Sequence, residues 1–233
     1  MVVVEVNGYT IEPDVDLARA DLRWADLREA DLRGANFSYA NLDGARLDGA
    51  LLEGAKFFLT SACGAQFRGA HLRWANLEAV DFRWVNLEDA DLPEATIDPA
   101  NVPSGAWVLP KFHCANLLRA NLRGAISRTA RLEGANLRLA DLTNASLFEA
   151  NLHGAILTGA NLSGVKFNEA YADESTTWPE GFDPAAVGVI FSSRDWPRAN
   201  LSSTRPFWQG CWSARSVVVV EVNGYEIAAD LDG

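Results

Sequence analysis

Between Ala20 and Phe37 the chain reads ADLRWADLREADLRGANF: a small residue, a polar residue and a Leu or Phe, recurring every five positions. A period of five excludes both ordinary elements. On an α-helix it advances about 500°, so the leucines spiral around the surface without forming a stripe. On a flat strand an odd period throws successive leucines onto opposite faces. A chain that bends once per pentad satisfies the pattern, because each unit then presents the same face to one axis. The small residue and the Leu are two apart, so both point inward in a short extended segment, and the other three positions point out. The fixed short period is the signature of a solenoid.

Stepping by five from Leu17 to Phe167 gives 31 centres, of which all but Ala62, Ile97, Val102, Trp107 and Ser127 are Leu or Phe. Two residues before the centre, Ala fails only at Val15, Thr60, Val80, Val85, Gly105, Pro110 and Val165. In the run Phe57, Ala62, Phe67, Leu72 the smallest centre lies between two phenylalanines, as volume compensation in a close-packed core requires. Gly at the fifth position, as at Gly44 and Gly64, suits a corner with φ > 0. Arg28, Asp48, Arg68 and Glu88 form an alternating charge series at a spacing of 20, but similar blocks also pair at 15 or 25.

These units, among them Ala25-Asp26-Leu27, Ala40-Asn41-Leu42 and Ala120-Asn121-Leu122, resemble the A(D/N)LXX repeat of the pentapeptide repeat proteins. The resemblance covers roughly residues 15–170. It implies an all-β fold, a right-handed quadrilateral β-helix with four pentads per coil and short terminal caps. At the strand spacing of about 4.8 Å, nearly eight coils make a rod on the order of 37 Å long.

The chain divides accordingly. Residues 1–15 read as an N-terminal cap, with a strand, the Asn7-Gly8 turn and a second short strand. Residues 16–170 are the repeat. Within them Asp98–Cys114 keeps the five-residue phase but carries Pro99, Pro103 and Pro110, which cannot donate ladder hydrogen bonds. Either one irregular coil takes Trp107 and Phe112 as centres or about ten residues loop out, and the prolines favour the loop. Residues 171–216 form a C-terminal cap with an aromatic-rich tail. In it Asp183-Pro184 opens a short helix to about Val189. Residues 217–233, VVVVEVNGYEIAADLDG, nearly duplicate the start of the chain.

No motif for catalysis stands out, and no cofactor is expected. His71, His113 and His153 fall on one side of an uninterrupted four-pentad coil, and His113-Cys114 reads as an incidental surface pair. The aspartates recur with the repeat and read as a solvated face. Cys63, Cys114 and Cys211 are an odd, widely spaced set that suits free thiols in a reducing cytoplasm. There is no long apolar run and no basic leader with an apolar core, so neither a membrane span nor a secretory signal is expected.

A rigid non-catalytic rod is suited to binding other proteins. The resemblance brings a second reading, since some family members mimic duplex DNA and occupy the DNA site of gyrase, conferring quinolone or toxin resistance. The net charge of −11 points that way until it is partitioned. Residues 16–169 hold 19 acids and 16 bases, a net −3, so most of the charge lies at the ends. A duplex carries about one charge per 1.7 Å. The repeat is therefore expected to be a protein–protein scaffold, with gyrase as the alternative partner and no direct nucleic-acid or membrane contact. Local acidic positions (Glu78, Asp98, Glu88-Asp89) are what favours the alternative.

Outward aromatics mark the candidate contacts. Arg23-Trp24 and Arg83-Trp84 share a side, three coils apart, with Gly44 and Gly64 between the tryptophans. Trp107 in the irregular segment and Trp208 and Trp212 in the tail extend the set. The competing reading lays each indole over a corner glycine as a structural contact. The C-terminal region is a candidate for homodimerisation, through the tail or through the copied cap.

Overall fold

The structure is a computed structural model, and it describes residues 4–98, 100–101, 107–192, 218–222 and 225–229. Val4–Val6 (β1) and Tyr9–Ile11 (β2) pair as an antiparallel hairpin. From Asp16 onward each residue preceding a centre makes a parallel bridge to the residue twenty positions later: Asp16 to Asn36, Asp21 to Asn41, Asp26 to Arg46, Asp31 to Leu51. Four such ladders run side by side, so the chain returns above its own path every four pentads. This register removes the alternatives of 15 and 25 that the charges leave open.

One pentad shows why the arrangement holds. Asn41 N–H bonds back to the Ala20 carbonyl, and Leu42 and Gly44 N–H bond forward to Ser61 and Cys63. Ala40 N–H closes the preceding turn onto Phe37 O at 2.8 Å. The fifth amide, Asp43 N–H, is taken by the side chain of Asn41 at 2.9 Å. All five backbone donors are satisfied, which a chain this buried requires. The Asp or Asn before the centre therefore has a structural task, capping the amide two residues on. Ala18, Ser38, Glu78 and His153 are held in the same way by Asp16, Asn36, Asn76 and Asn151.

Each pentad turns through a left-handed residue. Gly44 has φ 67° there, and so does Trp24 at 61° and Leu139 at 57°. A side chain in this region costs on the order of 1 kcal/mol, and the turn and inter-coil bonds hold it in place. Inside, the centres and the preceding alanines are buried almost without exception. Phe37 stacks on Phe57 at 5.0 Å, and Phe57, Phe67, Phe82 and Phe112 continue the aromatic chain at 5.3–6.2 Å. Ala62 lies among these rings, so the small centre is compensated by its large neighbours. The irregular alanine position Thr60 keeps its hydroxyl satisfied by donating to Phe37 O at 2.6 Å.

Within the fifth coil, between Thr96 and Lys111, the chain leaves the stack, and the bridge spacing there becomes 30: Asp81 to Lys111, Asn86 to Asn116, Asp91 to Asn121. Ten residues leave the stack and the register resumes. Trp107 is thus not a centre, Val102 lies outside the described residues, and the stack is shorter by half a coil than an unbroken count suggests. Within the excursion Ala100–Asn101 (β3) pairs antiparallel with Trp107–Val108 (β4). The ten-residue insertion enters after the centre Ile97, near a corner, and the bridge spacing of 20 resumes from Lys111 to Arg131.

At the far end Tyr171–Ala172 (β5) pairs with Ile190–Phe191 (β6), the last parallel step. Trp178 and Phe182 stack on each other at 5.4 Å and both meet Phe167, closing the core. The helix expected from Asp183 to Val189 is a single 3-10 turn, Ala185–Val187. Asp183 does cap it, accepting from Ala185 and Ala186 N–H, but left-handed Gly188 ends it after one turn. Val189 then turns into the core. Residues Pro197–Gly233 are a second unit, in which Val218–Val222 (β7) and Tyr225–Ala229 (β8) form an antiparallel hairpin. Among the described residues no helix is long and apolar enough to cross a membrane.

Two predictions follow from this core and from the register across the insertion. Leu87 and Leu137 are fully enclosed, so Leu87→Asp or Leu137→Asp buries an unpaired charge and should cost at least ~3 kcal/mol. A wild-type melting curve for either variant would contradict the core. Across the insertion, Asp81 is held by Arg83 at 2.8 Å and Lys111 at 3.0 Å. Burial pushes the Asp81 carboxyl up, but the two cations outweigh it and leave it below the ordinary carboxylate range. A depressed folded value stabilises above the unfolded pKa, and that contribution disappears as pH falls through the folded one. Asp81→Asn should therefore cost about 1–3 kcal/mol at neutral pH, with the gap to wild type closing in acid denaturation below about pH 4.

Candidate interaction surface

The outward positions of each pentad are the residue before the centre and the two after it. The two that flank the centre are two apart and emerge on the same side, so they meet each other before they meet another coil. Arg23 chelates Asp21 at 2.8 and 2.6 Å, and Arg33 chelates Asp31 at the same distances. Arg28 pairs likewise with Asp26, not with Asp48 one coil on. Asp48 instead accepts the Arg68 amide at 3.2 Å. Within the alternating charge series, Arg28 is thus paired inside its own pentad, and Asp48 meets the next coil through the backbone amide of Arg68 and not through its guanidinium. The neighbouring guanidinium holds the carboxyls of Asp21 and Asp26 down to about 2.

Three of the acidic positions are engaged across coils. Arg119 binds both Glu88 and Asp89 at 2.6 Å, one long cation on two carboxylates. Asp98 accepts the Arg128 amide.

The corner positions carry the aromatic side chains. Trp24, Gly44, Gly64 and Trp84 fall in one column, and Arg23 and Arg83 in the column beside it. Trp24 leans toward the next coil and covers Gly44, where a Cβ would collide with the indole. It nevertheless remains 67% exposed. Above Gly64 there is open space, so only half of the floor between the two tryptophans is covered. Arg83 lies over the Trp84 ring at 5.6 Å while bound to Asp81. The structure brings Arg23, Trp24, Arg83 and Trp84 onto one side of the stack. Trp107 is in β4, in the excursion that re-enters at Lys111, next to the strand that bonds Trp84 N–H through His113 O. Trp208 and Trp212 lie outside the described residues.

A third Arg-Trp pair, passed over in the sequence reading, occurs at the same phase. Arg73 stacks on Trp74 at 4.2 Å, Trp74 Nε1 donates to Glu94, and the indole is 56% exposed. It stands on a different ladder, beside a groove of about 420 Å³ that Arg73, Pro93, Glu94 and Arg123 line. The repeated dipeptide was the available signal.

The insertion also moves the histidines. His113 and His153 remain in one column, but His71 belongs to another ladder, so the three do not share a side. His113 Nδ1 lies 3.6 Å from Glu133, which Arg131 and Asn151 hold by its other oxygen. Among the described residues no group of three His, Cys, Asp or Glu is placed to hold a metal ion. Among the described residues, Cys63 and Cys114 are in no disulfide.

Comparison with known proteins agrees with the repeat. The pentapeptide-repeat model matches residues 16–54, 55–98 and 128–171, in eight copies. No curated protein matches the chain. Among solved structures, HetL, a pentapeptide repeat protein involved in heterocyst differentiation regulation in the cyanobacterium Nostoc sp. strain PCC 7120, is 28% identical. It covers 77% of this chain and 82% of its own with a TM-score of 0.40. Another pentapeptide repeat protein of Nostoc PCC 7120 is 32% identical over 52% of this chain and 84% of its own, with a TM-score of 0.34. QnrB1, a plasmid-mediated fluoroquinolone resistance protein, is 18% identical over 70% and 79%, with a TM-score of 0.41. With the repeat matched over more than half its length, the chain belongs to the pentapeptide repeat family.

Proposed function

We propose that this protein is a non-catalytic scaffold, a right-handed quadrilateral β-helix that holds a protein partner through tryptophan and arginine at its corners. The observation that carries this reading is the exposure of Trp24 and Trp74 at left-handed positions. An indole there costs backbone strain and contributes little to the core. Trp and Arg are the residue types that most often dominate interface energy, and a guanidinium stacked on the indole holds the ring in place by cation–π attraction. The contact set is Arg23, Trp24, Arg83 and Trp84 on one ladder and Trp74 on another, with Trp107 from the insertion and Trp208 and Trp212 from the tail. Self-association through the C-terminal region, above micromolar concentration, belongs to the same reading, as does a cytoplasmic setting in which the thiols stay reduced.

The gyrase reading is the weaker one on charge. A duplex mimic needs carboxylates free to face the enzyme's cations, whereas here Asp21, Asp26, Asp31, Asp81, Glu88 and Asp89 each hold an arginine. Stoichiometric protein should leave gyrase supercoiling unchanged. Inhibition that disappears on adding salt would instead establish the mimic.

Capture tests the scaffold directly. Trp24→Ala combined with Trp84→Ala should reduce retention of a specific protein from source lysate at least tenfold while the melting temperature stays within a few degrees. A large fall in melting temperature with unchanged capture would make both tryptophans structural.

A further inference from the structure

The hairpin β7–β8 repeats β1–β2 in both sequence and register. β1–β2 pairs Val4 with Ile11, Glu5 with Thr10 and Val6 with Tyr9. β7–β8 pairs Val220 with Ile227, Glu221 with Glu226 and Val222 with Tyr225. Asn-Gly stands between the strands in both, as Asn7-Gly8 and Asn223-Gly224, and only Thr10 against Glu226 differs in the eight positions. Opposed residues of an antiparallel pair share a face. Val6, Tyr9 and Ile11 therefore share one face of the first hairpin, and Val222, Tyr225 and Ile227 stand at the matching register positions of the second.

What the first hairpin does is visible. Ile11 is part of the core, and Val6 and Tyr9 pack against it, covering the leading coil. Asn7 Nδ2 donates to the Asp21 carbonyl at 3.5 Å. One coil later the equivalent carbonyl, Asn41 O, takes the Leu22 amide at 2.8 Å. The first coil has no preceding coil to supply that donor, so the asparagine supplies it. An uncovered edge of this kind is a template for another chain.

We propose that residues 218–229 are a second leading-edge cap, and that their partner is the leading coil of a second copy of this chain. The occupant follows from the likeness: the coil beginning at Asp14 is the surface that already takes this hairpin. The second hairpin is also the longer, with five cross-strand pairs against three. Ala229 stands where the first copy has Pro13, which lacks a donor. The tethered β1–β2 competes at an effective concentration in the millimolar range. Exchange is therefore minor at micromolar protein and becomes dominant once β1–β2 leaves the edge. Each chain offers one hairpin and one edge, so association runs head to tail. The inference deepens the self-association part of the proposed function, and its test reads mass, so it can fail without capture failing.

Sedimentation velocity on full-length chains decides it. At micromolar concentration the wild type should be monomeric, Ile11→Asp should at least double the mass, and Ile11→Asp with Ile227→Asp should return to monomer. A monomeric Ile11→Asp chain, or a double variant that associates equally, overturns the proposal. A chain lacking residues 1–11 opens the same edge by another route. Immobilised wild type should retain it, and immobilised Ile227→Asp should not. Equal retention by both, or by neither, overturns it as well.

Discussion

The left-handed corner at every fifth residue is what the rest of the structure depends on. It turns the chain before a strand can lengthen, so each centre and its preceding alanine can face the interior. The corner also sets the hydrogen bonds: three of the five amides in a pentad go to neighbouring coils, one closes the turn, and one needs a side chain. That last requirement explains why Asp or Asn so often precedes the centre. It is a backbone partner first and a surface charge second. Enclosed leucines add roughly 1.5–3 kcal/mol each, and their own amides are bonded to the next coil as they are buried, as Leu42 is to Ser61.

The same geometry decides what the surface can do. Side chains flanking a centre are fixed side by side, so an Asp and an Arg placed there neutralise each other within one pentad. A chain that looks acidic in composition therefore exposes short dipolar pairs at several pentads of the repeat, among them Asp21–Arg23, Asp26–Arg28, Asp31–Arg33 and Asp81–Arg83. Corner side chains are different, because they project away from the stack and lean toward the next coil. Glycine there leaves a bare step, as at Gly64, and tryptophan there fills one, as Trp24 does over Gly44. The corner is also where extra chain can enter, and the β3–β4 hairpin does so without altering the register on either side.

Much of this was legible from the sequence. The period, the inward centres, the glycine corners and the compensation around Ala62 all follow from local rules repeated many times, so each pentad corroborates the others. The reading was less secure where one residue acts once. Asp183 was correctly read as a cap, but the length of the turn it opens was set by Gly188 and by the pull of Val189 into the core. The Asp21–Arg23 pair was passed over because a spacing of two has no meaning on a helix, and acquires one only when both residues flank an inward centre. Arg73-Trp74 was missed although its dipeptide is identical to two that were noted.

By itself the sequence determined the period, which residues face inward and that a hairpin begins the chain, because these depend only on bond geometry and on the exclusion of apolar side chains from water. It also displayed the second copy of that hairpin, whose pairing register the structure then matched to the first. Which residues stand above one another was decided only by the tertiary structure. Charge spacings of 15, 20 and 25 were equally compatible with the repeat, and the inter-coil hydrogen bonds selected 20. The excursion after Asp98 then moved every later residue half a coil around, which carried His113 and His153 away from His71 and stacked Lys111 on Asp81. Neighbourhood across coils is a property of closure, and no local rule contains it.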